Sequence, residues 1–434
     1  MPDTPDNVVL VHWHDLGRHL PSYGAEGVAG PRTDELAADS IVLTDAHATA
    51  PLCSPARGSI LTGRYPHHNG LVGLAHHGWE YHDDVETLPA VLAARGWHTA
   101  LFGMQHESSD PGRLGYAEYD VSNSFCDHVV ALAEDFLGRI GDRPFLLNAG
   151  FFETHRPYPE DRYTHPDPAT VTVPDHLPDT PQVRADLAGF HGAIAKADAA
   201  LGRLLDALDR HGLSGNTWVV FHTDHGAAFP RAKSTLYAAG TGIAFMIRPP
   251  RGRGIAPRRL DGLFSGVDLV PTVLELLGVE VPAAVQGVSH AGQVLGTETA
   301  DARTEVFTEK TYHDSYDPIR AVRTKRFSYL ENYAARPELV LPLDIADSPS
   351  GAAVAGRYAG PRPAVELYDL VADPGETVNV AGRPEYAAVQ AELAELLHRW
   401  RRDTGDHLPS DAEGSAIAGK NTATYLARLE EGVA

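Results

Sequence analysis

Short, wholly apolar runs recur between amphipathic stretches up to about residue 318, and that rhythm restricts the fold more than any other feature. A run that is apolar on both faces has no side to offer water. It belongs in the middle of a sheet covered by helices on each side. Asn7–Trp13 (NVVLVHW), 99–103 (TALFG), 144–152 (PFLLNAGFF), 217–224 (TWVVFHTD) and 243–248 (IAFMIR) read as strands of this kind. Between them, 88–95 is helix-like, 183–211 is a long amphipathic helix stopped by Gly212, and 267–277 is a helix ended by Gly278. The alternation predicts an α/β class with a large sheet sandwiched by helices. Proline-rich 156–180 and 248–257 read as surface loops.

Past residue 318 the texture changes. Segments 321–329 and 366–370 read as strands of a smaller sheet, and 385–402 as an amphipathic helix. The expected division is a catalytic α/β domain over 1–318, a smaller α+β subdomain with an antiparallel sheet over 319–404, and a tail over 405–434.

Composition bounds the setting. The chain has 434 residues, 43% of them hydrophobic, enough for a large core. Its two cysteines, Cys53 and Cys126, leave no disulfide framework once Cys53 is given to chemistry, which points to a reducing compartment. Residues 1–9 carry no basic and apolar leader pattern, and no run approaches the roughly 18 apolar residues of a membrane span. The expectation is a cytoplasmic protein with neither membrane nor nucleic acid as partner. A formal charge of −22 supports that, since it repels nucleic acids, anionic lipids and long sulfated polymers alike. A short anionic ligand can still bind where positive charge is concentrated in one pocket.

The chemistry gathers around Cys53-Ser54-Pro55-Ala56-Arg57, a C-x-P-x-R pattern followed by Thr62-Gly63. Pro55 suits the first turn of a helix, so Cys53 should lie at or just before a helix N-terminus. Unpaired N–H groups and the helix dipole favour an anion there. Arg57, one turn on, adds a permanent charge on the same side. Gly63 either ends the helix or admits close packing. Other reactive residues follow the apolar strands, where open α/β sheets place their sites. His14-Asp15 follows the first, Met104-Gln105-His106 the second, Thr154-His155-Arg156-Pro157 the third and Asp224-His225-Gly226 the fourth, with Lys233 soon after.

This ordered set resembles the sulfatase family from about residue 7 to about residue 400, the C-terminal part through Glu366 to Leu370 with Asp373-Pro374, Glu376 and Asn379. The resemblance implies an alkaline-phosphatase-like fold. It also implies that a formylglycine-generating maturation enzyme oxidises Cys53 to Cα-formylglycine, whose hydrate is the nucleophile. His14, Asp15, Asp224 and His225 match the metal-binding positions of the family. Calcium, usual in the family, is the first expectation, but His14 stands where an aspartate is usual, and the two imidazoles also admit magnesium, manganese or zinc. Arg57 and Lys233 would bind sulfate, His106 would act as the base that releases it, and His155 would lie near the leaving-group oxygen. Met104 replaces a lysine that contacts sulfate in relatives. A narrower likeness, through Phe229-Pro230, Tyr312-His313-Asp314 and 318–323, is to the branch that includes heparan N-sulfatase. It makes His313, Asp314 and Arg320 substrate-contact candidates, with Arg156 beside them. The implied activity is release of inorganic sulfate from a small sulfate ester or sulfamate, with a homo-oligomer admitted. The pattern also fits a formylglycine-dependent phosphonate monoester or phosphodiester hydrolase, or a non-catalytic binder on the same scaffold.

Overall fold

Along the first strand, alternate residues face opposite ways, and both faces are apolar, so the strand must be covered twice. The computed structural model, which describes residues 5–408 together with 410, 412, 416 and 419, shows this arrangement. Most of the tail expected over 405–434 lies outside the described residues. Val9, Val11 and Trp13 join a core formed with the helices Cys126–Arg139 and Pro181–Arg210, whereas Val8 and Leu10 join a second core with Leu269–Leu276. Each such large buried side chain contributes roughly 1.5–3 kcal/mol.

Eight strands make the main sheet. In chain order they are β1 (Asn7–Trp13), β2 (Ile41–His47), β3 (His98–Gly103), β4 (Glu118–Asp120), β5 (Phe145–Gly150), β6 (Thr217–Thr223), β7 (Gly242–Arg248) and β8 (Arg258–Ser265). Across the sheet they lie in the order β4-β3-β5-β1-β6-β7-β2-β8. Strands β4 to β6 in that row are parallel. Strand β7 runs against both β6 and β2, so β2, with β8 parallel beside it, returns to the direction of the central strands. The C-terminal ends of β1, β2, β3, β5 and β6 therefore all open on one edge.

The smaller sheet is antiparallel, in the order β12-β11-β10-β9, from β9 (Glu305–Tyr312), β10 (Tyr316–Thr324), β11 (Phe327–Asn332) and β12 (Val365–Asp369). Helix Ala387–Thr404 covers it through Leu393, Leu397 and Trp400, the last stacked on Phe307 at 4.9 Å. A large mixed sheet between helices and a small antiparallel sheet is the class expected from the sequence.

Four strands, β2, β4, β8 and β9, lie outside the expected runs, and one expected strand is two. The segment 321–329 is two strands joined by a tight turn at Lys325-Arg326, whose N-terminal Thr324 hydroxyl accepts from the amides of Arg326 and Phe327. Strands β2 and β8 carry polar residues mid-run (LTDAH, RRLDG) and lack the uniform apolar signature. No helix among the described residues is long and apolar enough to cross a membrane.

Candidate active site

At the shared edge, β1 delivers His14 and Asp15, β6 delivers Asp224 and His225, and β5 leads to His155. Strand β2 leads to helix Cys53–Thr62, and every residue of that helix is buried. Cys53 is its first residue, as Pro55 requires. Gly63 serves both purposes left open by the sequence. Its φ of +67° ends the helix in the left-handed region, and a Cβ there would meet Val285 Cγ1 at 2.8 Å.

One ligand atom from each of His14, Asp15, Cys53, Asp224 and His225 can be chosen so that all lie within 4.8 Å of one another. Cys53 Sγ is 3.4 Å from His225 Nε2 and 4.0 Å from Asp15 Oδ1. Asp224 is held completely. Its Oδ1 accepts from the amides of Asp15 and His225 at 3.0 and 2.9 Å, and its Oδ2 accepts from Arg57 Nε at 2.9 Å. Arg57 in turn meets His12 Nε2. Burial first, and then the neighbouring Arg57, hold His12 well below the usual imidazole range, so it stays neutral and accepts. Asp15 has φ +53°, a left-handed backbone that costs roughly 1–2 kcal/mol without glycine and is held by this network.

The electrostatics fit a bound cation. Burial opposes charge on both imidazoles, yet Asp15 and Asp224 raise His14 to about 9 and His225 well above its ordinary value. Two buried carboxylates draw two protons onto the histidines beside them. A divalent cation would supply the same two charges to the same oxygens and nitrogens. His225 Nδ1 donates to the Gly226 carbonyl at 2.9 Å, which leaves Nε2 as the ligating atom, and His14 presents Nδ1 to Asp15 and Asp224 at 2.7 and 3.3 Å. Two carboxylates and two imidazoles are a mixed donor set of the kind that holds magnesium, manganese or zinc as well as calcium.

Lys233 crosses the mouth of the cluster, its Nζ donating to Asp15 Oδ2 at 2.7 Å and to Asp344 Oδ2 at 2.8 Å. Burial opposes its charge, but Asp15, Cys53 and Asp344 hold its pKa well above the usual lysine value. His155 Nδ1 donates to the Arg156 carbonyl at 2.6 Å, and its Nε2 is 3.7 Å from Asp15 Oδ2. Burial lowers this imidazole to about 4, so at neutral pH Nε2 carries no proton. His106 lies edge-on to His14, with ring centroids 5.7 Å apart, and stacks on His76 at 5.0 Å.

Cys53, Arg57, His106, His155, Lys233, His14, Asp15, Asp224 and His225 thus come together. Arg156 and Arg320 do not reach the cluster. Arg156 is locked to Asp186 by two bonds of 2.6 and 2.7 Å, and Arg320 to Asp406 by two of 2.7 Å. His313 and Asp314 face one another at 3.0 Å, and Asp314 caps the amide of Leu343 at 2.9 Å. Asp344, His12 and His76 were not singled out from the sequence. His12 lies inside a strand read only as core, and Asp344 sits in a segment with no reactive pattern of its own.

A mixed α/β sheet with this edge-on cluster defines an alkaline-phosphatase-like hydrolase. The chain belongs to the sulfatase family, whose model matches residues 6–279. It is 28% identical over 457 residues to N-sulphoglucosamine sulphohydrolase of Homo sapiens, covering 93% of this chain and 91% of that protein. An ulvan-active sulfatase of Formosa agariphila is 27% identical, covering 94% and 76%. Among solved structures, one from work on glycosaminoglycan metabolism by Bacteroides thetaiotaomicron superposes with a TM-score of 0.76 at 22% identity, covering 93% of this chain and 97% of that one. Another, determined with its substrate D-glucosamine-2-N,6-O-disulfate, gives 0.73 at 20% identity, covering 94% and 99%. The protein is a hydrolase of the sulfatase type, acting on sulfate esters or sulfamates.

Proposed function

We propose that the protein releases inorganic sulfate from a small sulfate ester or sulfamate, using formylglycine made from Cys53 and one divalent ion held by His14, Asp15, Asp224 and His225. The observation that carries this reading is the position of Cys53. It starts a buried helix, 3.4 Å from His225 Nε2, beside two carboxylates whose charge calls for a cation. Cys53 Sγ marks where the nucleophilic oxygen of the hydrated aldehyde would stand. Once converted, residue 53 supplies one hydroxyl to attack sulfur and a second whose deprotonation expels sulfate and restores the aldehyde. The ion, when bound, supplies positive charge for the sulfate oxygens and lowers the pKa of the hydrate.

The chain's own residues divide the remaining work. Arg57, locked on Asp224, fixes that ligand and adds positive charge beneath the nucleophile. Lys233 is charged and has a third N–H beyond those given to Asp15 and Asp344. It is the proton donor to the departing oxygen or nitrogen, because the neutral His155 offers only a lone pair at Nε2. His155 orients that departing atom. His106 takes the proton whose loss releases sulfate. Nucleophile, ligands and proton-transfer groups all fall within 1–318, the small sheet already begins at Glu305 inside that span, and 319–404 adds the rest of that sheet and Asp344. The test is turnover of aryl sulfate, aryl sulfamate and aryl phosphonate monoester by protein co-expressed with a maturation enzyme. Sulfate or sulfamate cleavage should dominate; preferential phosphonate cleavage would assign the site to the phosphonate monoester hydrolases instead.

A further inference from the structure

Lys233 has two carboxylate partners, Asp15 and Asp344. Asp15 belongs to the cluster at the end of β1. Asp344 comes from the connection between β11 and β12, 111 residues away in sequence. Its Oδ2 accepts from Lys233, while its Oδ1 is buried with no hydrogen-bond partner. Asp344 and His155 each have 23% of the side chain accessible and His106 is also partly exposed, whereas His14, Asp15, Asp224 and His225 have none. The cluster is therefore reached from solvent on the side of Asp344, His155 and His106.

The segment that carries Asp344 is fastened at both ends. At its start, Asp314 accepts from the Leu343 amide at 2.9 Å, with His313 behind it at 3.0 Å. At its far end, Asp186 accepts from the Ser350 amide at 3.2 Å, and Arg156 holds Asp186 through both carboxylate oxygens. Two short helices, Leu343–Ala346 and Pro349–Ala353, fill the span. The substrate-contact candidates Arg156, His313 and Asp314 thus act at one remove, holding a third residue in place. A carboxylate on a segment fastened at both ends, partly exposed and with one buried oxygen left unpaired, can complete its hydrogen bonding with a donor that enters beside it.

We infer that Asp344 is a specificity-determining residue. It selects leaving groups that present a hydrogen-bond donor, an ammonium or a hydroxyl, beside the sulfated position, and it rejects those that present a second anion there. This rests on the sulfatase reaction proposed above. The charge balance supports the sign. An ammonium near Asp344 completes a pattern of alternating charge with Lys233 and Asp15, whereas a carboxylate or second sulfate would face the Asp344 carboxylate, whose bonded cation Lys233 is already shared with Asp15.

The selection can be measured apart from turnover, by calorimetric binding to the matured, metal-loaded protein of two sulfonates that cannot be hydrolysed. 2-Aminoethanesulfonate carries an ammonium beside the sulfonate, and sulfoacetate carries a carboxylate. The native protein should bind the first at least about tenfold more tightly. In Asp344→Asn, and in Asp344→Ser should the first variant fold poorly, that ratio should fall to within about threefold. If Asp344 only occupied Lys233, its removal would tighten both ligands equally and leave the ratio unchanged. An unchanged ratio overturns the inference, as do equal affinities or undetectable binding of both ligands in the native protein. Failure of aryl sulfate turnover counts against the sulfatase reading alone, since the ratio does not depend on it.

Discussion

At the scale of the residue, the cluster is a balance of buried charges in which each member is placed by another. On the proposed reading Lys233 carries the largest share of sulfate recognition, because Met104, where the family resemblance leads one to expect a lysine, is buried without a charge to offer. Losing a charge-assisted bond in a buried site typically costs about 1.5–3 kcal/mol. Lys233→Ala should lower kcat/KM by at least about a hundredfold, roughly 2.7 kcal/mol, in steady-state assays with an aryl sulfate. A near-neutral Lys233→Ala would mean that sulfate is held elsewhere. The metal ligands are tested by elemental analysis. Asp15→Ala and Asp224→Ala should lose both the ion and the rate, and His14→Ala should lose most of the ion. Unchanged metal content in His14→Ala would remove His14 from the ligand set. These residues were legible in the sequence because each follows an apolar strand directly, so the topology that gathers strand ends gathers them too. Asp344 was not legible, since only the long-range packing of its segment brings it to Lys233. Arg156 and Arg320 looked like substrate contacts from their motifs, but long guanidinium side chains find the nearest buried carboxylate, here Asp186 and Asp406.

At the scale of the element, the junction after β8 holds the wall behind the nucleophile helix. Asp268 accepts from the Ser265 amide at the end of β8 and the Val288 amide at 2.9 and 2.8 Å, and Arg303 binds both its oxygens. Burial alone would raise this carboxyl, but Arg303 and His290 outweigh burial and lower it from 3.8 to about 2. A folded-state pKa below the unfolded one gives stability that is fully present above pH 3.8 and is lost as pH falls toward about 2. Asp268→Asn should cost about 3–5 kcal/mol in urea unfolding at pH 7, because Arg303 is left buried without its partner. The same variant should show a shallower loss of stability between those two pH values; an identical acid profile would place the pH dependence elsewhere. The element boundaries show where sequence pattern suffices. β1 and β6 match their apolar runs almost residue for residue, because both faces of each strand are covered. β2, β4 and β8 sit toward the sheet edges, where one polar residue in the run is tolerated and the pattern fades.

At the scale of the molecule, one edge of the large sheet and one loop of the small sheet build a single site. The sheet supplies the proposed nucleophile, ligands and base from strands that share one direction, and the β11–β12 connection brings Asp344 to Lys233. The chain's formal charge of −22 contrasts with a site whose cations are Lys233, Arg57 and the proposed ion. That contrast fits a short sulfated substrate better than a long polyanion. Everything turns on residue 53. The most direct measurement is the rate of sulfate release from an aryl sulfate, set against the fraction of residue 53 that peptide mass spectrometry finds converted to formylglycine across preparations of graded maturation. The rate should rise in proportion to that fraction and extrapolate to zero in unconverted protein, with Cys53→Ala at the origin and folded. Turnover at zero conversion, or none at full conversion with the metal bound, would contradict the assignment.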